Sequence, residues 1–488
     1  MVVPDRAAGR CAGIDDAAAA LSSSVGRGTA RTTGTAAVLL AAAHPVLAAL
    51  ALAALVVVAA TGAWQLLAAP VAWVVFGVVG SLVQPDTLPG RPVRPAEEPE
   101  LAALLHDVAG QAGFRAPLSV RVVPDVEAAL GPVRWRGTTA YVLLLGWPLL
   151  QGLAEDELTA VVAHELAHHR HARDRATRWL LSAREQLADS RADRVRVHHA
   201  LADRLLLATR DDAWGPELAA DQDSVRIAGA DAAGRALVRT DLLRAAFALL
   251  ADPWLDVLGE REQRPLDLYE AVSEALTDPY VVAGLRRALD DEALLSTTGD
   301  SHPPTATRLA SVGRPAPELP LVRPLALRTG EEVRAWCTGQ LVDPDATPVR
   351  LLDLPPEQRE RPAAEAAAAL AEATGAPDGG TALLRTLDAV DDGAWHQVAL
   401  RLEPELRSAP PDVRELASRD VLAGCAAAVL WQVLVGGGWK RASSWRAGVL
   451  RSADGRTALT RDLLEDAITR EDTQQVRGLV AEARREVA

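Results

Sequence analysis

The stretch Ala154–His171 reads AEDELTAVVAHELAHHRH and decides the fold of this chain. Its spacing predicts a helix, and the three acidic residues that follow Ala154 suit the positive end of the helix dipole. Inside the stretch lies H-E-x-x-H, formed by His164, Glu165 and His168. Residues i and i+4 of a helix lie one turn apart on one face, so both imidazoles can reach one metal ion.

These residue types point to zinc chemistry. Neutral imidazoles are good zinc ligands, and a catalytic zinc ion keeps one position for water. Glu165 is placed to take a proton from that water, which zinc makes more acidic. The motif therefore predicts one Zn²⁺ per chain, held by His164 and His168, with Glu165 as general base.

A catalytic zinc site of this kind needs a third protein ligand. The metzincin extension of the motif is absent, whereas a gluzincin takes a glutamate from a later helix. Two E-x-x-A-D segments are available, and they begin at Glu185 and Glu217. Glu217 is favoured because the chain has room to reverse before it, and Gly215-Pro216 could open a new helix there. Glu185 remains the alternative. Asp221, one turn after Glu217, could accept the second N–H of a ligand histidine.

An apolar run precedes this region, with no Asp, Glu, Lys or Arg from Thr32 to Pro85. One bilayer span takes about 20 apolar residues, so the run predicts a transmembrane hairpin over 36–84, with spans near 37–59 and 63–83. The alternative is a single span followed by a buried or interfacial helix, because Pro45 and Pro70 interrupt the apolar pattern.

Arginines flank the apolar run on both sides, and the connection between the two predicted spans carries no charge. Positive charge favours the cytoplasmic side, so both ends of the hairpin are expected there. The chain would then be a multi-pass protein of the cell membrane, with segment 1–35 and the catalytic domain on the cytoplasmic side.

The remaining chain divides at Pro-rich stretches into a peptidase-like domain, 95–315, and a helical C-terminal region of unknown role, 325–488. Apolar periodicity predicts the following elements: a helix at Leu101–Ala112, and strands at Leu118–Val123 and Thr139–Leu145. The apolar stretch Val421–Val435 is short for a bilayer span and is expected to be a buried helix.

The composition of the chain is that of a folded protein and excludes several functional classes. A chain of 488 residues is expected to form more than one domain. Hydrophobic residues make up 49% and charged residues 24%, as in ordinary folded proteins. A net charge of −14 argues against nucleic acid as a partner. Three cysteines lie far apart and exclude a disulfide framework or a cysteine zinc site.

Several motifs in order, from about Glu97 to Val312, resemble the membrane-associated zinc metallopeptidases of the HtpX and CAAX-prenyl-protease type. The segments that carry the resemblance are Val120–Asp125, Tyr141–Leu145, Leu153–Leu158, Val162–His168, Glu217–Asp221, Arg226–Gly229, Ser301–Pro304 and Arg308-Leu309. The resemblance implies a mostly helical α+β protein with a zincin-like domain, in which a small mixed sheet packs against the active-site helix.

The resemblance also implies roles for residues. His164, His168 and Glu217 would bind zinc, and Glu165 would be the base. His302 and Arg308 would support the substrate carbonyl or the oxyanion as it forms. The alternative is that Pro303-Pro304 ends a helix and Arg308 forms a surface ion pair. Segment 170–216 is too rich in charge to cross a bilayer, so prenylated substrates are not implied.

The function expected from these features is a membrane-anchored zinc endopeptidase. Its partners would be the lipid bilayer and polypeptide substrates, including misfolded or membrane-proximal proteins. A substrate is expected to pair in extended form along Thr139–Leu145 as an edge strand. Two other readings remain: a membrane-anchored scaffold that keeps the fold without proteolysis, and a soluble zinc aminopeptidase.

Overall fold

The computed structural model describes Thr35, residues 88–135, 138–171, Leu180, Ala183, Arg184, Leu187, and residues 204–294, 302–314, Leu319, 322–360, 363–409 and 411–487. The described chain is mostly helical, with a small amount of sheet. The predicted membrane hairpin and the alternative ligand Glu185 lie outside these residues.

The chain divides into two compact units. One unit comprises Met1–Leu88, His168–Ala219 and Thr297–Pro303, and the other comprises Pro89–Ala167, Ala220–Ser296 and Pro304–Ala488.

The larger unit contains a four-stranded mixed sheet. Its strands are β1 (Arg91–Pro92), β2 (Leu118–Val123), β3 (Ala128–Trp135) and β4 (Thr138–Gly146), in the order β1-β2-β4-β3. Strand β2 runs parallel to β4, whereas β3 is antiparallel to β4 and pairs Ala128 with Leu145. Helix α1 (Pro99–Ala112) precedes β2 and ends at Gly113, whose φ of 67° suits glycine.

The position of β4 corrects one prediction. The strand predicted at Thr139–Leu145 was expected to be an edge, but it lies inside the sheet because β3 covers its outer side. Strand β3 was missed because Gly131 and Pro132 interrupt its apolar pattern. Proline cannot donate to a strand ladder and is tolerated on edge strands, which is where Pro132 lies.

The sheet packs against helix α3 (Glu155–His171), which follows the short helix α2 (Trp147–Gly152). Leu143 and Leu145 of β4 share a buried core with Leu158, Val162 and Leu166 of α3. Burial of each such side chain contributes about 1.5–3 kcal/mol, so this face fixes the helix that carries the H-E-x-x-H motif.

Helices dominate the residues after α3 that the structure describes. They are α4 (Arg210–Ala228), α5 (Ala230–Ala246), a π-helical turn (Phe247–Ala251), α6 (Asp252–Gly259), α7 (Leu268–Ala275), α8 (Pro279–Leu294) and α9 (Thr305–Ser311). Helix α10 (Gly330–Leu341) buries Val333 and Cys337 in the core of the sheet. The core of the sheet therefore includes side chains of α10. A two-stranded parallel sheet joins β5 (Gln263–Pro265) to β6 (Thr347–Val349).

Helix α4 differs from its prediction at the N-terminus. Gly215-Pro216 was expected to open the helix, but the helix begins at Arg210 and Pro216 lies inside it. A proline in this position removes one backbone hydrogen bond. Ala213, Glu217 and Ala220 are buried at helical spacing, so their continuous buried face outweighs that loss.

The C-terminal region has its own core, centred on one long helix. Its elements are α11 (Pro356–Arg359), α12 (Ala363–Thr374), α13 (Gly379–Asp391), α14 (Trp395–Leu402), α15 (Pro411–Gly436), β7 (Lys440–Arg441), β8 (Val449–Arg451), β9 (Thr457–Leu459), α16 (Thr460–Arg470) and α17 (Gln474–Val487), with 3₁₀ turns at Leu351–Asp353 and Pro404–Arg407.

Helix α15 is long and apolar enough over Val413–Gly436 to span a bilayer, and it is the one such helix in the part of the chain that the structure describes. Its residues Leu422, Leu430 and Leu434 are fully buried in the C-terminal core. The burial of these side chains agrees with the predicted buried helix, although only 39% of the apolar window is buried.

Candidate metal centre

A buried carboxylate fixes the first turn of α3. Glu157 is fully buried, and its Oε2 accepts a hydrogen bond from the Ala154 amide at 3.0 Å, as a capping residue does. Arg235 and Arg239 of α5 also contact it, with Nε atoms 3.0 Å from Oε1 and 2.9 Å from Oε2 respectively. The start of the motif helix is thus tied to α5.

His164 meets a carboxylate and a guanidinium. Its Nδ1 lies 3.0 Å from Oδ1 of Asp221. Arg308 holds the same carboxylate with two bonds, from Nε to Oδ2 at 2.9 Å and from Nη2 to Oδ1 at 2.7 Å. The side chain of Asp221 is only 3% exposed. A neutral His164 that donates from Nδ1 to Asp221 carries its lone pair on Nε2, the atom then suited to bind a metal.

The environment of Asp221 keeps it ionised. Burial alone would raise the pKa of its carboxyl group, but the hydrogen bonds and charge of Arg308, together with the bond from His164, outweigh burial. The pKa of Asp221 is therefore lowered from its usual value. A negative charge at this point at neutral pH favours the His164 tautomer with hydrogen on Nδ1.

His168, one turn after His164, meets a different group of residues. Its Nε2 lies 3.4 Å from Oε1 of Glu217. The other oxygen of Glu217 lies 2.7 Å from Nδ1 of His302. Glu217 is buried, whereas the His302 side chain is 57% exposed. This carboxylate can therefore contact a ligand histidine with one oxygen and an accessible imidazole with the other.

Three of these residues could hold a metal ion. One ligand atom from each of His164, His168 and Glu217 lies within 4.8 Å of the others. Two imidazoles and one carboxylate suit zinc, while calcium and magnesium prefer oxygen ligands alone. The residues present therefore fit the zinc ion that the sequence predicts.

The structure places the other predicted residues as follows. Glu165 follows His164 in α3 and is half-buried. Asp221 contacts His164, and its role in holding a zinc ligand stays a prediction. Arg308 is bound to Asp221. Glu157 and its arginine partners were not singled out from the sequence, although an N-terminal Glu three residues after Ala154 is the signal of a capping residue.

Comparisons with known proteins identify one family. The family model described as peptidase family M48 matches residues 95–316. That segment is nearly the one in which the sequence motifs carried the resemblance. A search of curated proteins and a search of solved structures found no match to this chain.

Proposed function

We propose that this chain is a zinc-dependent endopeptidase of peptidase family M48, the family of HtpX- and CAAX-protease-type zinc metallopeptidases, whose model matches residues 95–316. The observation that carries the proposal is the approach of the ligand atoms of His164, His168 and Glu217 to within 4.8 Å of one another. The family indicates a metallopeptidase, and the site adds the donor set that such an enzyme needs.

Each residue of the proposed site would have a distinct role in hydrolysis. His164, His168 and Glu217 would hold the zinc ion. When bound, zinc would polarise the scissile carbonyl and make water at the site more acidic. Glu165 would take a proton from the attacking water and then pass it to the leaving amine. The carboxylate can serve both steps because it ends each cycle in its starting state.

Asp221 and His302 would have different tasks. Asp221 would orient His164 by accepting the Nδ1 hydrogen, while Arg308 would keep Asp221 ionised and in place. His302 is exposed enough to donate a hydrogen bond to the substrate carbonyl oxygen as negative charge develops there.

A polypeptide substrate would pair with the sheet along its outer edge. That edge is β3, the last strand in the order of the described sheet. Gly146 donates to the carbonyl of Glu127, so the odd-numbered positions of this strand face β4. Residues such as Leu130 then direct both backbone groups outward, and an extended peptide can pair with them.

The predicted N-terminal hairpin would anchor the enzyme to the cell membrane, with the peptidase domain on the cytoplasmic side. Substrates would then be polypeptides, including misfolded or membrane-proximal proteins. This location rests on the uncharged run before Pro85 and on the flanking arginines.

The direct test is the variant Glu165→Gln, which keeps the shape of the side chain but cannot accept a proton. Zinc content should stay at one ion per chain, and hydrolysis of an unfolded protein substrate should fall by about 10²- to 10⁴-fold. Glu155→Gln, an exposed position on the same helix, is the matched control and should retain full activity. Unchanged hydrolysis in Glu165→Gln would contradict the proposal, and a wild-type protein without zinc would favour the scaffold.

A further inference from the structure

A buried hydroxyl group joins two helices of the candidate site. Ser224 of α4 is 4% exposed, and its Oγ donates a hydrogen bond to the carbonyl of Ala160 in α3 at 2.9 Å. A serine inside a helix commonly bonds a carbonyl of its own preceding turn. Here the hydroxyl instead bonds a neighbouring helix, 64 residues away in the sequence.

The location of this bond matters for the metal centre. Ala160 lies one turn before His164, and Ser224 lies three residues after Asp221. The Ser224 bond and the 3.0 Å contact between His164 and Asp221 therefore join the same two helices at successive turns. Two adjacent contacts fix the position of α4 along α3, whereas a single contact would act as a pivot.

The side chains around Ala160, whose carbonyl accepts this bond, are apolar and form contacts without a preferred direction. Ala160 is buried with Ala233 and Ala236, and the side chains packed against them are small or branched: Val161, Val225 and Ala228. Apolar contacts of this kind favour close approach of the helices but are not directional. A hydrogen bond has a defined distance and angle, so the hydroxyl sets the register within this apolar contact.

We propose that Ser224 is a positioning residue of the metal centre, which acts by fixing the register of α4 against α3. In that register Asp221 meets Nδ1 of His164, and His164 presents Nε2 to the metal. Loss of the hydroxyl lets α4 shift and weakens the contact between Asp221 and His164. The inference rests on the proposed function, because it assigns zinc to the site.

The experiment compares zinc binding by full-length variants. Ser224→Ala is expected to weaken zinc affinity about 10-fold, as measured by competition with a chelator. This is the lower end of the roughly 10- to 100-fold range for residues that contact a metal ligand directly, because Ser224 acts through Asp221. Ser224→Thr keeps the hydroxyl and should restore most of the affinity. The matched control is Ser273→Ala, since the Ser273 hydroxyl bonds only the preceding turn of its own helix, at Tyr269. This control should bind zinc as the wild type does.

A spectroscopic readout separates positioning from general destabilisation. With Co²⁺ in place of zinc, the visible absorption bands should change in Ser224→Ala and stay unchanged in Ser273→Ala, at a temperature where both variants are folded. Zinc affinity of Ser224→Ala within twofold of the wild type, or an equal loss in both variants, would overturn the proposal. If zinc binding depends on Ser224 but the wild type does not cleave peptides, the proposed function would be contradicted and the role of Ser224 would stand. Absence of zinc from the wild type would overturn both.

Discussion

The two histidines of the H-E-x-x-H motif are held in different ways. His164 contacts Asp221, which is almost fully buried and is bound at both oxygens by Arg308. His168 contacts Glu217, whose second oxygen meets the exposed imidazole of His302. The first group is a buried ion pair beside an imidazole, whereas the second includes an imidazole that is exposed to solvent.

This difference separates two residues that the sequence treated alike. His302 and Arg308 were both expected, from the family resemblance, to support the substrate carbonyl or the oxyanion as it forms. In the structure Arg308 is bound to Asp221, which suits a role in orienting His164. His302 is the more accessible of the two, with 57% of its side chain exposed against 12% for Arg308. The assignment of His302 to the substrate stays a prediction.

The largest expected effect is on the Glu217 side. Glu217→Ala removes a metal ligand, so zinc affinity should fall by more than the 10- to 100-fold that is typical of a merely supporting residue, and hydrolysis should be lost. Elemental analysis after dialysis measures the zinc. Asp211→Ala, an exposed acid on the same helix, is the control and should keep one zinc per chain. Full zinc content in Glu217→Ala would make Glu185 the better candidate.

The next effect is on the His164 side and concerns stability. Arg308→Ala leaves the Asp221 carboxylate buried without its main partner, so the free energy of unfolding should fall by about 3–5 kcal/mol. Arg308→Lys keeps the charge but loses the two-bond geometry, and should lie between Arg308→Ala and the wild type. Urea unfolding of the zinc-free protein measures both. A loss below about 1 kcal/mol would mean that the ion pair contributes little.

A third effect is a change in pH dependence. The lowered pKa of Asp221 in the folded protein means that its ionised form contributes stability at neutral pH. That contribution is fully present above the unfolded-state pKa of about 3.9 and is lost as the pH falls through the lower folded value. Asp221→Asn should therefore be less stable than the wild type at pH 7, and the difference should shrink below about pH 4. A difference that stays constant down to pH 2 would assign the stability change to another group.

The smallest effect on zinc binding and stability is expected for His302→Ala. Because this side chain is largely exposed, the free energy of unfolding should change by no more than about 0.5 kcal/mol, with zinc affinity near that of the wild type. If His302 supports the developing oxyanion, kcat should fall by about 10²-fold or more. An unchanged kcat would leave His302 as a partner of Glu217 only.

Local spacing made much of this site predictable. His164 and His168 follow from the helical repeat, and Asp221 follows from its position one turn after Glu217. The strand predicted at Leu118–Val123 matches β2 from end to end. These features depend on neighbours in the sequence, and a single sequence carries that information.

Features that depend on distant partners were not predictable in this way. Gly131 and Pro132 interrupt the apolar pattern of β3, so its pairing with β4 could not be predicted from the sequence. Helix α4 continues through Pro216 because one of its faces is buried. Glu157 and Ser224 have partners more than 60 residues away. Burial and pairing of such groups depend on the folded arrangement, which the local pattern does not specify.

Diffraction from crystals of the zinc-loaded protein at the zinc absorption edge tests the central claim most directly. The account predicts one anomalous peak at about 2.0–2.2 Å from a nitrogen of His164, a nitrogen of His168 and an oxygen of Glu217. A peak bound by other residues, or no peak near these three side chains, would contradict it.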